Sequence, residues 1–229
     1  MSPKTAAAPV FIFDLDGTLI DSVYQHTLAW SEALQQEDIH LANWRVHRFI
    51  GMSGGLLVHA LAREAGREVS REQAERLQDL HGQAYAKRVN EVRLLPGARE
   101  LLDGLDRFQV GWAIATSGKR DKARPALQML DLSDDVPIIT RDDVERAKPA
   151  PDLFLAAAEK LKVELEHCIV IGDSVWDLLA AQRARALGVA LLCGGYGEEE
   201  LIKAGAYRVY RDPADLLAHL DELGVRVAN

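Results

Sequence analysis

Cysteine is scarce in this chain, with two in 229 residues, Cys168 and Cys193, at opposite ends of strand-like apolar runs. Thiols so placed build no disulfide framework, and small buried thiols in a reducing cytoplasm are the expectation. A long apolar run is missing too. The residues before Asp14 offer one lysine and a brief apolar stretch, too short for a signal peptide or a membrane span, and Met1 to Pro9 read as a loose tail. Basic runs are also absent, and a net charge of −8 argues against a general nucleic-acid binder, so any phosphate the protein binds is captured locally. No internal repeat or low-complexity tract competes with a globular reading. Hydrophobic residues make up 48% of the chain, enough for one α/β domain with an inserted subdomain or for two small domains.

What is present is organised around the stretch from Val10 to Ser22. Val10, Phe11, Ile12 and Phe13 read as a fully buried strand, and Asp14, Leu15, Asp16 and Gly17 follow at once. Carboxylates at a strand end repel each other and resist desolvation, so this placement is costly unless a cation or a reaction needs it. Gly17 lets the loop fold tightly over whatever the acids hold.

After Ser22 the spacing is helical, with Val23, Thr27, Trp30, Ala33 and Leu34 in one stripe and Leu56, Leu57, Ala60 and Leu61 in another. Gly66 stops the second stripe, and Ser70 with Gln73 predicts a capping box for a long helix. About four helices fill 21–92. From Leu94-Leu95-Pro96-Gly97 onward, strands alternate with helices. Strands are predicted at 110–115, 136–140, 168–171, 188–193 and 207–210, and a final helix at 212–223. The pattern is that of an α/β, doubly wound, mostly parallel sheet: residues 1–20 and 93–229 form the catalytic core, and 21–92 a helical cap over the site. In such sheets ligands sit beyond the carboxyl ends of the strands, where Asp14, Asp16, Thr116, Ser117, Lys148, Asp173 and Asp177 fall.

If Asp14, Asp16, Asp173 and Asp177 converge, their repulsion is relieved only by protonation or by a cation. Oxygen ligands without nearby cysteine or histidine favour Mg2+ over zinc. The Thr116 hydroxyl, the Ser117 and Gly118 amides at a helix start, and the Lys148 charge offer donors to a phosphoryl group. Crowding by other acids is expected to raise the Asp16 pKa, which suits a group that must exchange its proton near neutrality.

These segments resemble the four motifs of the haloacid dehalogenase-like superfamily: Asp14-Leu15-Asp16-Gly17-Thr18-Leu19-Ile20-Asp21-Ser22, Thr116, Lys148 before Pro149-Ala150-Pro151-Asp152, and Gly172-Asp173. The resemblance implies a nucleophilic Asp14, an acid/base Asp16, and a metal held by Asp14, the Asp16 carbonyl and Asp173, with Asp177 orienting Asp173 or metal-bound water. It points to a phosphatase acting on a small phosphorylated metabolite, similar to phosphoglycolate phosphatases. A β-phosphoglucomutase-like mutase is the rival, although those enzymes commonly carry Glu-Asp where this chain has Gly172-Asp173. A non-catalytic regulatory protein on the same fold is a further alternative. Asp16 argues against dehalogenation, since a halide leaves without a proton. Lys87, the one lysine within 21–92, lies late in a helix and ill placed for Schiff-base chemistry. Arg45, His47 and Arg48 precede the cap loop around Gly51 and are candidates for gripping an anionic leaving group. Trp30, Trp44 and Trp176 are expected to pack the cap and its interface. Substrate identity and oligomeric state stay open at this level.

Overall fold

A computed structural model describes residues 9–225, so all but Pro9 of the presumed tail lies outside the described residues. β1 (Val10–Phe13) and the short β2 (Ile20–Asp21) lead into α1 (Val23–Gln36), α2 (Asn43–His47), α3 (Gly54–Glu64) and α4 (Arg71–Ala86), and β3 (Arg93–Leu94) brings the chain back. Then α5 (Ala98–Arg107), β4 (Trp112–Ala115), α6 (Arg120–Met129), β5 (Ile138–Ile139) and α7 (Asp152–Leu161) alternate. They are followed by β6 (Cys168–Gly172), α8 (Val175–Ala184), β7 (Leu187–Leu191), α9 (Glu198–Lys203), β8 (Arg208–Tyr210) and α10 (Pro213–Ala218).

Six strands form one sheet in the order β5-β4-β1-β6-β7-β8, every pairing parallel. β1 lies inside it, between β4 and β6, which is why its residues can be apolar throughout. The pleat divides them. Phe11 and Phe13 join the cluster with Leu101, Leu105, Ile114 and Leu216 on one face, and Ile12 joins Ala113, Phe154, Ala157 and Val170 on the other. Helices therefore cover both faces, and the carboxyl ends of β1, β4 and β6 line up along one edge of the sheet.

Several elements are shorter than predicted. The strand read at 188–193 ends at Leu191, where Leu192–Gly194 turns, and the helix read at 212–223 is α10 followed by a separate 3-10 turn at Leu220–Leu223. The antiparallel pair β2-β3, with Ile20 opposite Leu94 and Asp21 opposite Arg93, had no periodic signal in two residues; it ties together the points where the chain leaves the sheet layer and returns. Between them α1 to α4 enclose their own apolar cluster of Trp30, Leu34, Val46, Leu57, Leu61 and Leu77.

The predicted capping box is present: the Gln73 amide donates to Ser70 Oγ at 3.1 Å, and the Ser70 amide donates to Gln73 Oε1 at 3.0 Å. Ser70→Ala removes one of these two bonds at the start of α4. A loss of about 1 kcal/mol is expected, read as a fall in melting temperature of about 2–4 °C for a chain of this size.

Candidate active site

Asp14 takes its place because its amide continues the β1-β6 ladder, donating to the Ile171 carbonyl at 2.9 Å. The chain then turns at Gly17, where φ is +86° and a Cβ would overlap the Asp173 carboxyl group, so only glycine keeps that turn against its neighbour. The Thr18 hydroxyl donates to Asp173 Oδ1 at 2.9 Å and fixes the second acid to the first loop. Asp173 follows β6, and Gly194 in the turn after β7 gives it room in the same way. At the start of α8 the Ser174 amide and hydroxyl donate to Asp177 Oδ2 at 3.1 and 2.5 Å, turning its other oxygen, Oδ1, toward Lys148 Nζ at 2.8 Å. Lys148 also makes a close ion pair with Asp14 Oδ1.

Carboxylate oxygens of Asp14, Asp173 and Asp177 lie within 4.8 Å of one another, and all three residues are buried. Three carboxylates face one ammonium, itself 0% exposed, which leaves an excess of two negative charges if all are ionised. Burial foremost, and then the Asp177 and Asp16 charges, push Asp14 up to about 7 despite the lowering effect of Lys148. Burial first, and then the Asp177 and Asp14 charges, raise Asp173 well above the ordinary carboxyl range. Lys148 is raised too, because Asp14 and Asp177 outweigh the cost of burying its charge. Among the described residues neither Lys148 Nζ nor Asp177 Oδ1 has an aligned hydrogen-bond partner, although the two are in ionic contact. An all-carboxylate donor set, two acids driven toward protonation and a misaligned buried oxygen fit a hard divalent cation of the Mg2+ kind.

Asp16 points elsewhere. Its Oδ1 accepts from Ser22 Oγ at 2.6 Å and lies 3.3 Å from His26 Nε2, both on the helical segment. Burial works to raise its pKa, but the charge and hydrogen bond of His26, with Ser22 and Lys148, prevail and lower it. The expected upward shift is thus reversed, because Asp16 meets an imidazole rather than the other acids. Asp16 is absent from the cluster of converging carboxylates.

Thr116 directly follows β4 with 1% exposure, and its Oγ1 accepts the Gly118 amide at 3.0 Å. That amide, counted as a phosphate donor from sequence, is already engaged, and the helix that follows begins only at Arg120. The Thr116 hydroxyl proton stays free to donate. Ser117 Oγ donates to the Gly51 carbonyl at 3.1 Å, and the Ser53 amide donates to the Lys148 carbonyl at 3.1 Å, so the loop between α2 and α3 rests on the site.

The three candidates for substrate selectivity are placed differently. Arg45 pairs with Glu64 and stacks over Trp44, and Arg48 pairs with Glu200 at 2.5 Å above the Tyr196 ring, so both guanidiniums face carboxylates of this chain. His47 is buried, its Nε2 donating to the Gly194 carbonyl at 2.8 Å beside Asp173. Trp30 is buried and Trp176 donates from Nε1 to the Arg48 carbonyl at 3.1 Å, both as expected, whereas Trp44 is 64% exposed. Both cysteines are free. Cys193 reaches the Gly17 carbonyl at 3.1 Å.

Ser22, His26 and Thr18 went unassigned on sequence. The i, i+4 spacing of Ser22 and His26, just past an acid-bearing loop, is the one local signal that pointed to a shared face.

Comparison with known proteins agrees with this geometry. Residues 8–185 match the haloacid dehalogenase-like hydrolases. The chain is 33% identical to validoxylamine A 7'-phosphate phosphatase of Streptomyces hygroscopicus subsp. limoneus over 189 residues, 80% of this chain and 84% of that one. It is 30% identical to β-phosphoglucomutase of Bacillus subtilis over 215 residues, 91% and 92% of the two. The crystal structure of a hydrolase from Pseudomonas syringae superimposes with a TM-score of 0.91 at 56% identity, covering 94% of this chain and 99% of that one. With a parallel sheet delivering buried acids and a lysine to one edge, and with these matches along most of its length, the chain belongs to the haloacid dehalogenase-like hydrolase family.

Proposed function

We propose that the protein is a Mg2+-dependent phosphatase that hydrolyses a small phosphate monoester through an aspartyl-phosphate on Asp14. The observation that carries this reading is the ammonium of Lys148 buried between Asp14 and Asp177 beside Asp173, a charge arrangement with no folding benefit that would justify it. The relatives named above as acting on phosphorylated compounds support the substrate class.

In the first step an Asp14 carboxylate oxygen attacks phosphorus in line, the ester P–O bond breaks, and the departing alkoxide takes a proton from Asp16. In the second, water attacks the same phosphorus while Asp16 takes its proton, and the P–O bond to Asp14 breaks, releasing inorganic phosphate and restoring both residues. A phosphate dianion beside Asp16 raises its proton affinity, against the lowering by His26. Lys148 holds a phosphoryl oxygen with its charge, and the Thr116 hydroxyl and Ser117 amide donate to others. Asp14, Asp173 and the Asp16 backbone carbonyl would hold Mg2+, with Asp177 positioned behind them. Bound there, the ion neutralises the acids and screens the phosphoryl charge.

Residues 21–92 serve as a cap in this reading. Arg48 offers its carbonyl to Trp176 Nε1 and to Tyr196 Oη at 2.8 Å, and with the Gly51 and Ser53 contacts this leaves Asp14 only 4% exposed. A site covered in this way keeps bulk water from the phosphoryl group during transfer and favours a small metabolite. The free thiols suit a reducing cytoplasm.

The test is phosphate release from a panel of sugar phosphates, hexitol phosphates, phosphoglycolate and nucleotides, with Mg2+ and with excess chelator. Turnover should vanish with the chelator, and Asp14→Asn should lower it by a factor of at least about 10³ with the fold intact. Phosphate release that persists in Asp14→Asn refutes the mechanism; an isomerised sugar phosphate without net phosphate, dependent on a bisphosphate activator, identifies a mutase.

Metal binding should also change stability with a definite sign. Asp14, held near 7 in the folded protein against 3.8 in an unfolded chain, favours folding at low pH, and that contribution fades as pH rises through 7. Mg2+ opposes the loss by favouring the ionised acids. At a concentration of 100 times its dissociation constant it should add about 2.7 kcal/mol, near 5–10 °C in melting temperature. The gain should be larger at about pH 8 than at about pH 5, where protons compete for the same oxygens. Melting curves in Mg2+ and in chelator at the two pH values measure it.

A further inference from the structure

A second hollow lies on the face of α1 turned away from Asp16. His26 and Trp30 of that helix meet Asp16 and His81, whereas Tyr24 and Thr27 line a cavity of about 260 Å3. Its other walls are Asn43, Trp44 and His47 of the helical segment and Gly195 in the turn after β7. Among the described residues none of the converging acids borders it, nor does Lys148 or Thr116. His47 and Gly194 stand between, since His47 Nε2 donates to the Gly194 carbonyl at 2.8 Å and Gly194 packs on the Asp173 carboxyl group.

The walls are aromatic and held in place. Tyr24 stacks on His47 with ring centres 5.4 Å apart and planes 12° apart, and Arg45, paired with Glu64, lies 4.9 Å over the Trp44 ring. Gly195 has φ +87°, and a Cβ there would come within 2.7 Å of Tyr24 Oη and 3.0 Å of His47 Nε2, so glycine lets the turn close on the ring pair. Tyr24 and Trp44 are nevertheless exposed. Two large rings left in water around one hollow serve a ligand better than they serve the fold.

The polar groups select the kind of ligand. Thr27 Oγ1 donates to the Val23 carbonyl at 2.9 Å and keeps its capacity to accept, and Asn43 Oδ1 accepts from Ser31 Oγ at 2.7 Å. Among the described residues neither Asn43 Nδ2 nor Tyr24 Oη has a hydrogen-bond partner. Donors and acceptors side by side match hydroxyl groups, which do both. An anion would find no lysine or arginine lining the hollow, a cation would find no carboxylate, and Arg45 already occupies the place over Trp44 that a cation would take. The volume equals that of about nine waters at roughly 30 Å3 each, the scale of a six-carbon polyol or a single sugar ring.

We propose that this hollow is a second ligand site, separate from the Asp14 centre, and that it binds an uncharged polyol or monosaccharide. The C–H faces of the ligand lie against Tyr24 and Trp44, and its hydroxyls meet Thr27 Oγ1, Asn43 Nδ2 and Tyr24 Oη. Gly195 belongs to the sheet layer and the other lining residues to 21–92, so an occupant joins the two.

Calorimetric titration of the full-length protein tests this, in Mg2+ and saturating inorganic phosphate so that the Asp14 centre is filled. Mannitol, glucose and myo-inositol are the probes, and gluconate and glucosamine are the charged analogues of similar size. At least one uncharged probe should bind, and about tenfold or more tightly than either charged analogue. Trp44→Ala, at an exposed position, should weaken that binding about tenfold or more, and Thr27→Val about fivefold. Melting curves check that each variant is folded, and Asn43→Ala replaces Thr27→Val if the latter is not. Absence of binding by all three probes overturns the proposal. So does an affinity unchanged in Trp44→Ala, a charged analogue that binds equally well, or binding that appears only when phosphate is left out, which would place the probe in the Asp14 centre.

Discussion

Three buried carboxylates held around one buried ammonium are the constraint on which the rest of this structure depends. Bringing Asp14, Asp173 and Asp177 together costs desolvation and mutual repulsion, and Lys148 offsets only part of it, as the raised Asp14 and Asp173 values register. The fold supplies the remainder by making the approach unavoidable. Parallel β1 and β6 are neighbours in the sheet, so residues one step beyond their carboxyl ends meet whether or not their charges agree. The loop glycine at 17, the Thr18 hydroxyl and the Ser174 cap then set the angles.

The same crowding explains the helical segment. An unshielded cluster of acids would bind water and stray cations, whereas a covered one would keep its field for the phosphoryl group of the proposed reaction. Contacts from Arg48, Gly51 and Ser53 to Trp176, Tyr196, Ser117 and Lys148 run mostly through backbone carbonyls and amides. The cover therefore depends on loop path more than on side-chain identity, which leaves side chains in the segment free to differ with substrate. Side chains of the segment also take part: Ser22 and His26 reach Asp16, His47 reaches the Gly194 carbonyl, and Arg48 pairs with Glu200.

Asp16 and Asp14 stand two residues apart and meet opposite electrostatic surroundings. Burial, with the charges of other acids, pushes Asp14 up, while Asp16, also buried, faces an imidazole and a serine hydroxyl and is held down. Two carboxyls of one loop thereby differ in proton affinity, the division that the proposed hydrolysis through a covalent intermediate would use.

Much of this was legible in the chain itself. Apolar strands ending in acids, a Pro-x-Pro after Lys148 and the switch from helical spacing to strand-helix alternation determined the parallel sheet, the helical insertion after β1 and which residues line its edge, because periodicity and strand-end placement are local properties. The Ser70–Gln73 box was local as well. Partners supplied from far along the chain were not: His26 to Asp16 and His81, Arg48 to Glu200, and His47 to Gly194 depend on how the helices sit on the sheet. So does the sign of the Asp16 shift, which sequence reasoning took from the nearest acids and the folded protein took from α1. Which residues carry charge at the site was written in the order of residues; which neighbours tune each charge was decided only by packing, since electrostatic strength depends on distances of a few ångströms that no spacing along the chain defines.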